Sequence, residues 1–281
     1  MSLSRFLPAD FDPAGKVVLL AGRGNYPRLV WQRLLECRLD AHVIALEASA
    51  NVWTDAIPAD RKTFINVGQI GKLLHLLKQL KARYVYLAGQ ITPGKLFQQL
   101  KPDFKAIWLL ARLKEKNAST IFGAVVREIE ALGITVLDAR SFLDEHLAHS
   151  GEISAVSSIK IADYELQQGI AAARALAAAD IGQGLVICRG TIIAAEAFEG
   201  TDAMLERAGS LCHKPMGFIK LAKNNQDFRF DVPSFGLKTL KHMKASGITW
   251  AALEANNVLI INKDIVLSEA KSLGIKIIGF Q

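Results

Sequence analysis

Short apolar segments alternate with amphipathic ones along the first half of the chain. Residues 16–21 (KVVLLA) form a continuous apolar run, typical of a buried strand, and lead through a glycine-rich turn into a helix that reaches about Cys37. Similar patterns predict strands at residues 42–46, 63–67, 84–88 and 134–137, and helices at residues 69–81 and 119–132. This alternation predicts a parallel sheet covered by helices, a Rossmann-like α/β domain over residues 1–145.

The second half of the chain combines hairpins with helix crossovers. The sequence becomes polar around residues 144–154, where we place the domain boundary. Hairpins are predicted from residues 184–188 with 191–196 and from residues 248–253 with 258–261, further strands near residues 218–222, 227–231 and 275–280, and helices at residues 159–179 and 236–245 and before the last strand. Residues 146–281 are therefore predicted to form a C-terminal mixed α/β domain.

Residues 226–233 (QDFRFDVP) have the clearest chemical pattern in the chain. In an extended strand, the two phenylalanines and the valine point toward a core, while Asp227, Arg229 and Asp231 point together to the other face. Pro233 then ends the strand. Two carboxylates beside a guanidinium suit a phosphate or metal site, although a salt-bridged outer face of an edge strand explains the same pattern.

The net charge of +7 is concentrated in one segment of the chain. Between Arg61 and Lys116, twelve lysines and arginines are accompanied by two acids, Asp103 and Glu115, so this segment's surplus of ten exceeds that of the whole chain. Such a surplus implies an anionic partner, which phosphate groups, nucleic acid or an acidic membrane surface would provide.

Within that basic segment, residues 101–116 (KPDFKAIWLLARLKEK) have the pattern of an amphipathic helix. One helical face holds Phe104, Ile107, Trp108 and Ala111, and the basic side chains lie elsewhere. A helix of this kind lies on a membrane surface or packs on its own domain. Both interpretations stay open at the level of sequence.

The composition indicates a globular protein with a sizeable core, since 51% of the 281 residues are hydrophobic. No apolar run is long enough to span a bilayer, and the first thirteen residues match neither a secretory signal nor a transit peptide. The three cysteines, Cys37, Cys188 and Cys212, have no C-x-x-C spacing and suit reduced thiols. We therefore expect a cytoplasmic protein.

Two glycine-rich loops follow predicted strands, at the sheet edge where α/β proteins bind ligands. Gly22 and Gly24 in the first loop, and Gly89 in the second, would let backbone amides approach a phosphate group. Pro27 replaces the third glycine of a dinucleotide fingerprint, but Glu47 stands about where a ribose-binding acid would lie. A nicotinamide-dependent dehydrogenase and a tight turn without a ligand therefore remain alternatives.

A group of acids leaves the first predicted hairpin and enters the next helix. Glu196, Glu199 and Asp202 would supply metal ligands beside Thr201, the expected N-cap of that helix. An ordinary capped helix with an acidic first turn explains Thr201 and Asp202 equally well.

Basic residues precede the predicted acidic strand, namely Lys214, Lys220 and Lys223, followed by Gln226. Beside the carboxylates they fit a di- or triphosphate-like ligand with a divalent ion, and the chemistry would be phosphoryl transfer to water. A structural cluster of salt bridges explains the same spacing. The spacing alone thus predicts a two-domain α/β protein that binds a phosphorylated ligand.

These groups, together and in this order, resemble the LpxI family of UDP-2,3-diacylglucosamine pyrophosphatases. The resemblance covers nearly the whole chain, and the Glu-Gly-Thr-Asp-Ala-Met and Asp-x-Arg-x-Asp-x-Pro strings are its specific parts. It rests on residues 21–27 (AGRGNYP), 87–89 (LAG), 180–184 (DIGQG), 196–204 (EAFEGTDAM), 220–223 (KLAK) and 226–233 (QDFRFDVP).

The resemblance implies a cytoplasmic enzyme of lipid A biosynthesis that hydrolyses UDP-2,3-diacylglucosamine to UMP and 2,3-diacylglucosamine 1-phosphate, with Mg²⁺ or Mn²⁺. The family's essential aspartate falls on Asp231. We expect catalytic roles for Asp231, Asp227 and Arg229, and metal binding by Asp231, Glu199 and Asp202. Substrate binding is expected of Gly22, Gly24, Asn25, Gly89, Thr92, Thr201, Lys214, Lys223 and Gln226.

The implied partner is a UDP-linked glycolipid, and a lipid substrate agrees with peripheral association of the protein on the inner face of the membrane. No nucleic-acid partner is expected. Homodimerisation stays open. Family members carry a Gly-Asp-Asp-Ala-Leu-Leu-like string before the long helix that closes the first domain, and residues 117–122 (NASTIF) lack both acids. A non-catalytic phosphosugar- or lipid-binding homologue, and a nucleotide-sugar hydrolase with another substrate, remain alternatives.

Overall fold

The computed structural model describes residues 3–46, 52–90, 102–115 and 117–281. The chain forms two compact units, of which the first contains Met1–Leu143 with Phe228–Phe230 and the second contains Asp144–Asp227 with Asp231–Gln281. The sequence pattern places residues 228–230 in the second domain instead. The structure assigns them to the first unit because their side chains and backbone pack there.

A five-stranded parallel sheet forms the centre of the first unit. Its strands are β1 (Val17–Ala21), β2 (Ala41–Leu46), β3 (Lys62–Ile65), β4 (Tyr84–Ala88) and β5 (Thr135–Val136), in the order β3-β2-β1-β4-β5. The order reverses between β1 and β4, as in Rossmann-like sheets. This confirms the fold class predicted for the first half of the chain.

Helices cover this sheet and supply much of its apolar core. They are α1 (Tyr26–Glu36), α2 (Ile70–Gln79), α3 (Phe104–Arg112) and α4 (Ala118–Glu130). Every residue of β1, β2 and β4 is buried, as expected of parallel strands that are covered on both faces, and His42 of β2 is the polar residue among them that bonds to Thr63. Leu77 of α2 and Ile129 of α4 pack against Val85 of β4 in one cluster.

Helix α3 packs on the first unit, but not through the apolar face that the sequence pattern predicts. Ala106 and Leu109 are buried, whereas Phe104, Ile107 and Trp108 are exposed. The helix therefore packs on its own domain and still presents an aromatic surface to solvent.

The second unit contains a six-stranded mixed sheet. Its strands are β6 (Gly151–Glu152), β7 (Gly184–Cys188), β8 (Thr191–Ala195), β9 (Met216–Lys220), β11 (Ile248–Glu254) and β13 (Lys276–Phe280), in the order β6-β13-β11-β9-β7-β8. Strands β9 and β13 run parallel to β11, and the pairs β6–β13, β7–β9 and β7–β8 are antiparallel. The predicted mixed α/β class of this half is confirmed.

Two further strands and four helices complete the described part of this unit. The strands β10 (Ser234–Phe235) and β12 (Leu259–Ile260) pair in parallel, and the helices are α5 (Asp163–Ala178), α6 (Thr201–Leu211), α7 (Leu237–Ala245) and α8 (Lys263–Leu273). The predicted hairpin of residues 248–253 with 258–261 is wrong. Strand β11 lies between β9 and β13, so neither of its edges is available to β12.

The prediction of a strand at residues 227–231 is also wrong. The amide of Asp231 donates to the carbonyl of Asp227 over 3.1 Å, which closes a turn and removes the two-residue alternation. In the first unit, the Phe228 ring lies 3.6 Å from the guanidinium carbon of Arg140. Phe230 stacks on Phe122 of α4, with ring centroids 5.8 Å apart.

Candidate functional site

The ammonium group of Lys220 is the most unusual charged group among the described residues of the second unit. Lys220 ends the apolar strand β9 and is only 4% exposed. Its Nζ donates to Oγ1 of Thr201 over 3.0 Å, which is the hydrogen bond that this ammonium makes within the described part of the chain. An ammonium has three donors, so this one retains capacity for acceptors from a ligand.

Glu196 completes a partly buried chain of polar side chains with these two residues. The hydroxyl of Thr201 donates to Oε1 of Glu196 over 2.8 Å while it accepts from Lys220. The other oxygen, Oε2 of Glu196, is buried and has no hydrogen-bond partner among the described residues. Buried acceptors of this kind are uncommon in folded proteins and are frequent at functional sites.

Two glycines before and within β7 make room for this glutamate. A Cβ on Gly182 would lie 2.0 Å from the carbonyl oxygen of Glu196, and a Cβ on Gly184 would lie 2.8 Å from Oε2. A larger residue at position 182 would collide with the backbone, and one at position 184 would displace the carboxylate of Glu196. The two glycines in residues 180–184 are therefore explained by the close packing of Glu196.

Burial and neighbouring carboxylates act in opposite directions on the charge of Lys220. Burial lowers the pKa of Lys220 below its ordinary value of 10.5, and Glu196, Asp231 and Asp202 partly offset this by favouring the ammonium. The net direction is downward, because removal from water outweighs the attraction. Asp231 and Asp202 are thus close enough to Lys220 to act on it electrostatically.

Gln226 holds the backbone of the loop that bears Asp231. Its Nε2 donates to the carbonyl of Asp231 over 3.1 Å, and its Oε1 accepts from the amide of Lys223 over 3.2 Å. Oε1 also accepts from Nε2 of Gln183, at 2.9 Å. The carboxylate of Asp231 is exposed, so the loop presents it to solvent in a fixed backbone setting.

Several predicted site residues form ion pairs. Four pairs are present: Asp202 with Lys238 at 2.6 Å, Lys223 with Asp180 at 2.7 Å, Glu199 with Arg207 at 2.5 Å, and Arg229 with Glu130 at 2.8 Å. The hydrogen bond from Arg207 is also the largest cause of the lowered pKa of Glu199. The predicted trio of Asp227, Arg229 and Asp231 on one strand face is therefore wrong, since Arg229 pairs with α4 of the first unit through both carboxylate oxygens.

Thr201 has a different local role from the predicted N-cap. The N-cap of α6 is Gly200, with φ of 80°, and Thr201 is the first residue of the helix. Its hydroxyl is therefore available to link Glu196 and Lys220. Lys214 lies exposed in the loop before β9.

The glycines of the first unit serve backbone packing. The Gly22 amide donates to the carbonyl of Ala88 over 2.8 Å, so this amide is already engaged. A Cβ on Gly22 would lie 2.8 Å from the carbonyl oxygen of Gln90, and one on Gly89 would lie 2.7 Å from that of Arg23, which explains why each loop has glycine at this position. The prediction that these glycines let backbone amides approach a ligand stays a prediction, and the amide of Gly22 is not among those available.

The remaining predicted residues of this unit are less constrained. Gly24 has φ of 97° and open space beside its Cα. Asn25 occupies the N-cap position of α1 without a side-chain capping bond. Thr92 and Glu47 lie outside the described residues.

A divalent cation would have a limited set of ligands here. Within residues 3–46, 52–90, 102–115 and 117–281, no group of three or more His, Cys, Asp or Glu side chains is placed to hold a metal ion. Glu199 and Asp202 are committed to Arg207 and Lys238. Asp231 does fit, because Mg²⁺ is often held by one or two carboxylates with phosphate oxygens and water supplying the rest.

Sequence reasoning missed Lys220 as a site residue, although it belongs to the noted basic run. A signal was available: a lysine ends the apolar run MGFIK and is followed by Leu221 and Ala222, both buried. A charged residue inside so apolar a segment is seldom solvated, and it is seldom buried without a partner.

Comparison with known proteins identifies similar sequences. Residues 16–146 match the LpxI N-terminal domain, and residues 149–278 match the LpxI C-terminal domain. The UDP-2,3-diacylglucosamine pyrophosphatase LpxI of Caulobacter vibrioides is 28% identical over 276 residues, which cover 94% of this chain and 97% of the relative.

Solved structures give weaker matches. A UDP-glucose 4-epimerase of Thermus thermophilus in complex with NAD has a TM-score of 0.29 and 12% identity, over 53% of this chain and 42% of its own. The Bordetella bronchiseptica enzyme WbmH in complex with NAD⁺ has a TM-score of 0.31 and 11% identity, over 86% of this chain and 56% of its own. Each match spans about half of the solved chain, and similarity at these scores supports no argument about ligands.

Proposed function

The chain belongs to the LpxI family, and we propose that it hydrolyses the pyrophosphate of UDP-2,3-diacylglucosamine to UMP and 2,3-diacylglucosamine 1-phosphate. The proposed substrate agrees with the name of the Caulobacter vibrioides relative. In this reaction a water oxygen bonds to one phosphorus and releases a proton to solvent, the bond from that phosphorus to the bridging oxygen breaks, and the bridging oxygen keeps the electron pair. Negative charge therefore grows on the oxygens of the pyrophosphate.

The buried ammonium of Lys220 is the observation that supports this proposal best. A cation removed from water stabilises growing negative charge more than a solvated one does, because the local dielectric constant is lower. Thr201 fixes the position of Nζ, so the group needs little reorganisation during the reaction. We assign Lys220 to the phosphate oxygens of the substrate.

Asp231 is proposed to orient the attacking water or to hold the metal ion. Its exposed carboxylate is accessible, and Gln226 fixes the loop from behind. A Mg²⁺ or Mn²⁺ ion bound by Asp231 and phosphate oxygens would neutralise charge and favour ionisation of water. Asp227 precedes it by one turn, where its carbonyl accepts from the Asp231 amide.

The lipid nature of the substrate also supports peripheral association with a membrane. Helix α3 exposes Phe104 at 84% and Ile107 at 54%, and Lys105 and Arg112 lie near the Trp108 ring. An exposed aromatic face with flanking bases suits an anionic lipid surface. No helix in the described part of the chain is long and apolar enough to cross a membrane.

Release of UMP from UDP-2,3-diacylglucosamine tests the proposed reaction. We expect wild-type protein to release UMP with Mg²⁺ or Mn²⁺, and excess EDTA to stop the reaction. Asp231→Ala and Lys220→Met should each lower the rate by about 100-fold or more, since each removes a charge that the transition state needs. Asp264→Ala is the matched control, because Asp264 is an exposed aspartate on α8 of the same unit.

Thermal melts and substrate binding separate catalysis from folding. Asp231→Ala should retain the wild-type melting temperature and bind the substrate, since its side chain is exposed. Wild-type protein that is folded but releases no UMP would contradict the proposed reaction. Full activity in either variant would remove that residue from the proposed mechanism.

A further inference from the structure

The first unit contains an apolar cavity of about 150 Å³ at the carboxyl ends of its strands. Leu20 of β1, Leu46 of β2, Ile65 of β3 and Leu87 of β4 form its floor. Each is the last or next-to-last residue of its strand. Four adjacent parallel strands therefore end in branched aliphatic side chains that face the same space.

This position normally receives polar ligands. In open α/β sheets the ligand binds outside the carboxyl ends of the strands, where the strand order reverses, and phosphates lie on a helix N-terminus. Here the N-terminus of α2 is occupied by the chain itself. Oδ2 of Asp103 accepts from the amides of Gly71 at 2.6 Å and Lys72 at 3.2 Å. A second anion at that helix end would meet the carboxylate.

Polar side chains on the cavity wall are few. Among its described lining residues, Asn66 and Gln69 carry polar side chains. Oε1 of Gln69 accepts from the amide of Asn66 over 2.9 Å, so it stabilises the turn before α2. The cavity is therefore suited to a hydrocarbon group.

Helices α3 and α4 form the roof of the cavity. Ala106 and Leu110 of α3 line it, as do Phe122 and Val125 of α4. The roof is fixed from two sides, because Asp103 caps α3 through the amide of Ala106, and Lys105 pairs with Glu128 at 2.7 Å. These contacts keep an apolar cavity open, although side chains normally fill such space in a protein interior.

We propose that this cavity binds the end of an acyl chain. The proposal rests on the proposed function, in which the substrate carries two such chains. An apolar protein cavity of roughly 150 Å³ accommodates a six-carbon ring, so this one would take about six carbons of a saturated chain. Rossmann-like topology thus presents, at the usual ligand position, a site for the lipid part of the substrate.

Binding of free fatty acids by the full chain tests this site without any need for turnover. Saturated acids of six, eight, ten and twelve carbons are titrated by calorimetry. Affinity should rise by about fourfold for each methylene that enters the cavity, and then level off. A decrease in heat capacity on binding should accompany the rise, as expected for buried apolar surface.

A matched pair of variants locates the binding site. Leu110→Trp enlarges a partly buried cavity-lining leucine and should weaken binding of the twelve-carbon acid by about tenfold or more, by displacing about two methylenes. Leu76→Trp makes the same change at a partly buried leucine of α2 that does not line the cavity, and should leave affinity within about twofold. Val125→Phe is a second filling variant, from the opposite helix. Thermal melts establish that each variant is folded.

The outcomes separate this proposal from the proposed reaction. Binding that weakens in both filling variants and not in Leu76→Trp supports the site, even if wild-type protein releases no UMP. Release of UMP by wild-type protein, with fatty-acid affinity equal in all four proteins, would overturn the acyl site and leave the reaction standing. Absence of fatty-acid binding to wild-type protein would also overturn it.

Discussion

At the scale of single residues, Lys220 differs from the other charged side chains of the second unit. Lys223, Lys238 and Arg207 each pair with an acid near the surface, where an ion pair contributes little to stability. Lys220 is removed from water and is bonded to a neutral hydroxyl. Because burial of this ammonium lowers the stability of the protein, a function of Lys220 explains its retention.

The lowered pKa of Lys220 predicts how stability depends on pH. Between the lowered pKa and 10.5, the unfolded chain binds more protons at this residue than the folded chain does. Loss of the proton from Lys220 should therefore raise the free energy of unfolding as the pH rises, and this increase is complete above pH 10.5. Lys220→Met lacks this contribution.

Urea denaturation at pH 7.5 and 9.5 measures that difference. We expect the stability of wild-type protein relative to Lys220→Met to be greater at pH 9.5 than at pH 7.5. Lys214→Met provides the control, since Lys214 is exposed. Identical pH dependence in wild-type protein and Lys220→Met would contradict a lowered pKa.

At the scale of elements, Asp103 connects two helices of the first unit. Its carboxylate accepts from the amides of Gly71 and Lys72 at the start of α2, and from Ala106 at the start of α3. One side chain thus serves two helix N-termini. Asn117 is the simpler case, because it caps α4 alone through the amide of Thr120 at 2.9 Å.

Asp103→Ala should loosen both helix starts. A single N-cap contributes about 1 kcal/mol, so loss of two should cost about 2 kcal/mol locally. Hydrogen–deuterium exchange should accelerate at Gly71, Lys72 and Ala106, whereas Asn117→Ala should affect the start of α4 only. Unchanged exchange at α2 in Asp103→Ala would show that this carboxylate does not cap that helix in solution.

The segment at the start of α4 differs from the string that family members carry there. Residues 117–122 (NASTIF) lack the acid pair, but Asn117 supplies the cap and Ile121 and Phe122 line the apolar cavity. The structure therefore gives this segment a role in helix initiation and in the proposed acyl site. It does not supply carboxylates to a metal.

At the scale of the whole molecule, the exposed face of α3 predicts binding to membranes. The full chain should sediment with vesicles that contain phosphatidylglycerol and less with neutral phosphatidylcholine vesicles, and added salt should weaken the binding. Phe104→Ser should reduce it, because Phe104 is 84% exposed on that face.

Phe198 provides a matched control for the vesicle experiment. It is fully exposed in the second unit, on the segment before α6, and Phe198→Ser makes the same chemical change away from α3. Equal loss of binding in both variants would show that general surface hydrophobicity, and not α3, directs the association. Equal sedimentation with both kinds of vesicle would contradict an electrostatic contribution.

The sequence by itself determined the local features of this protein. Apolar runs located all strands of the five-stranded sheet, and all strands of the six-stranded sheet except β6, to within a few residues, since consecutive side chains show which positions of a strand are buried. The alternation of strands and helices predicted the Rossmann-like first half, and the specific strings near Asp231 identified the family.

Only the tertiary structure decided which distant residues meet. Arg229 pairs with Glu130, 99 positions away, and Lys220 bonds to Thr201, which in turn bonds to Glu196. The turn at residues 227–231 replaced the predicted strand because Phe228 and Phe230 pack in the first unit. Periodicity records which side of an element is buried, whereas the partner on that side depends on contacts between residues far apart in the chain.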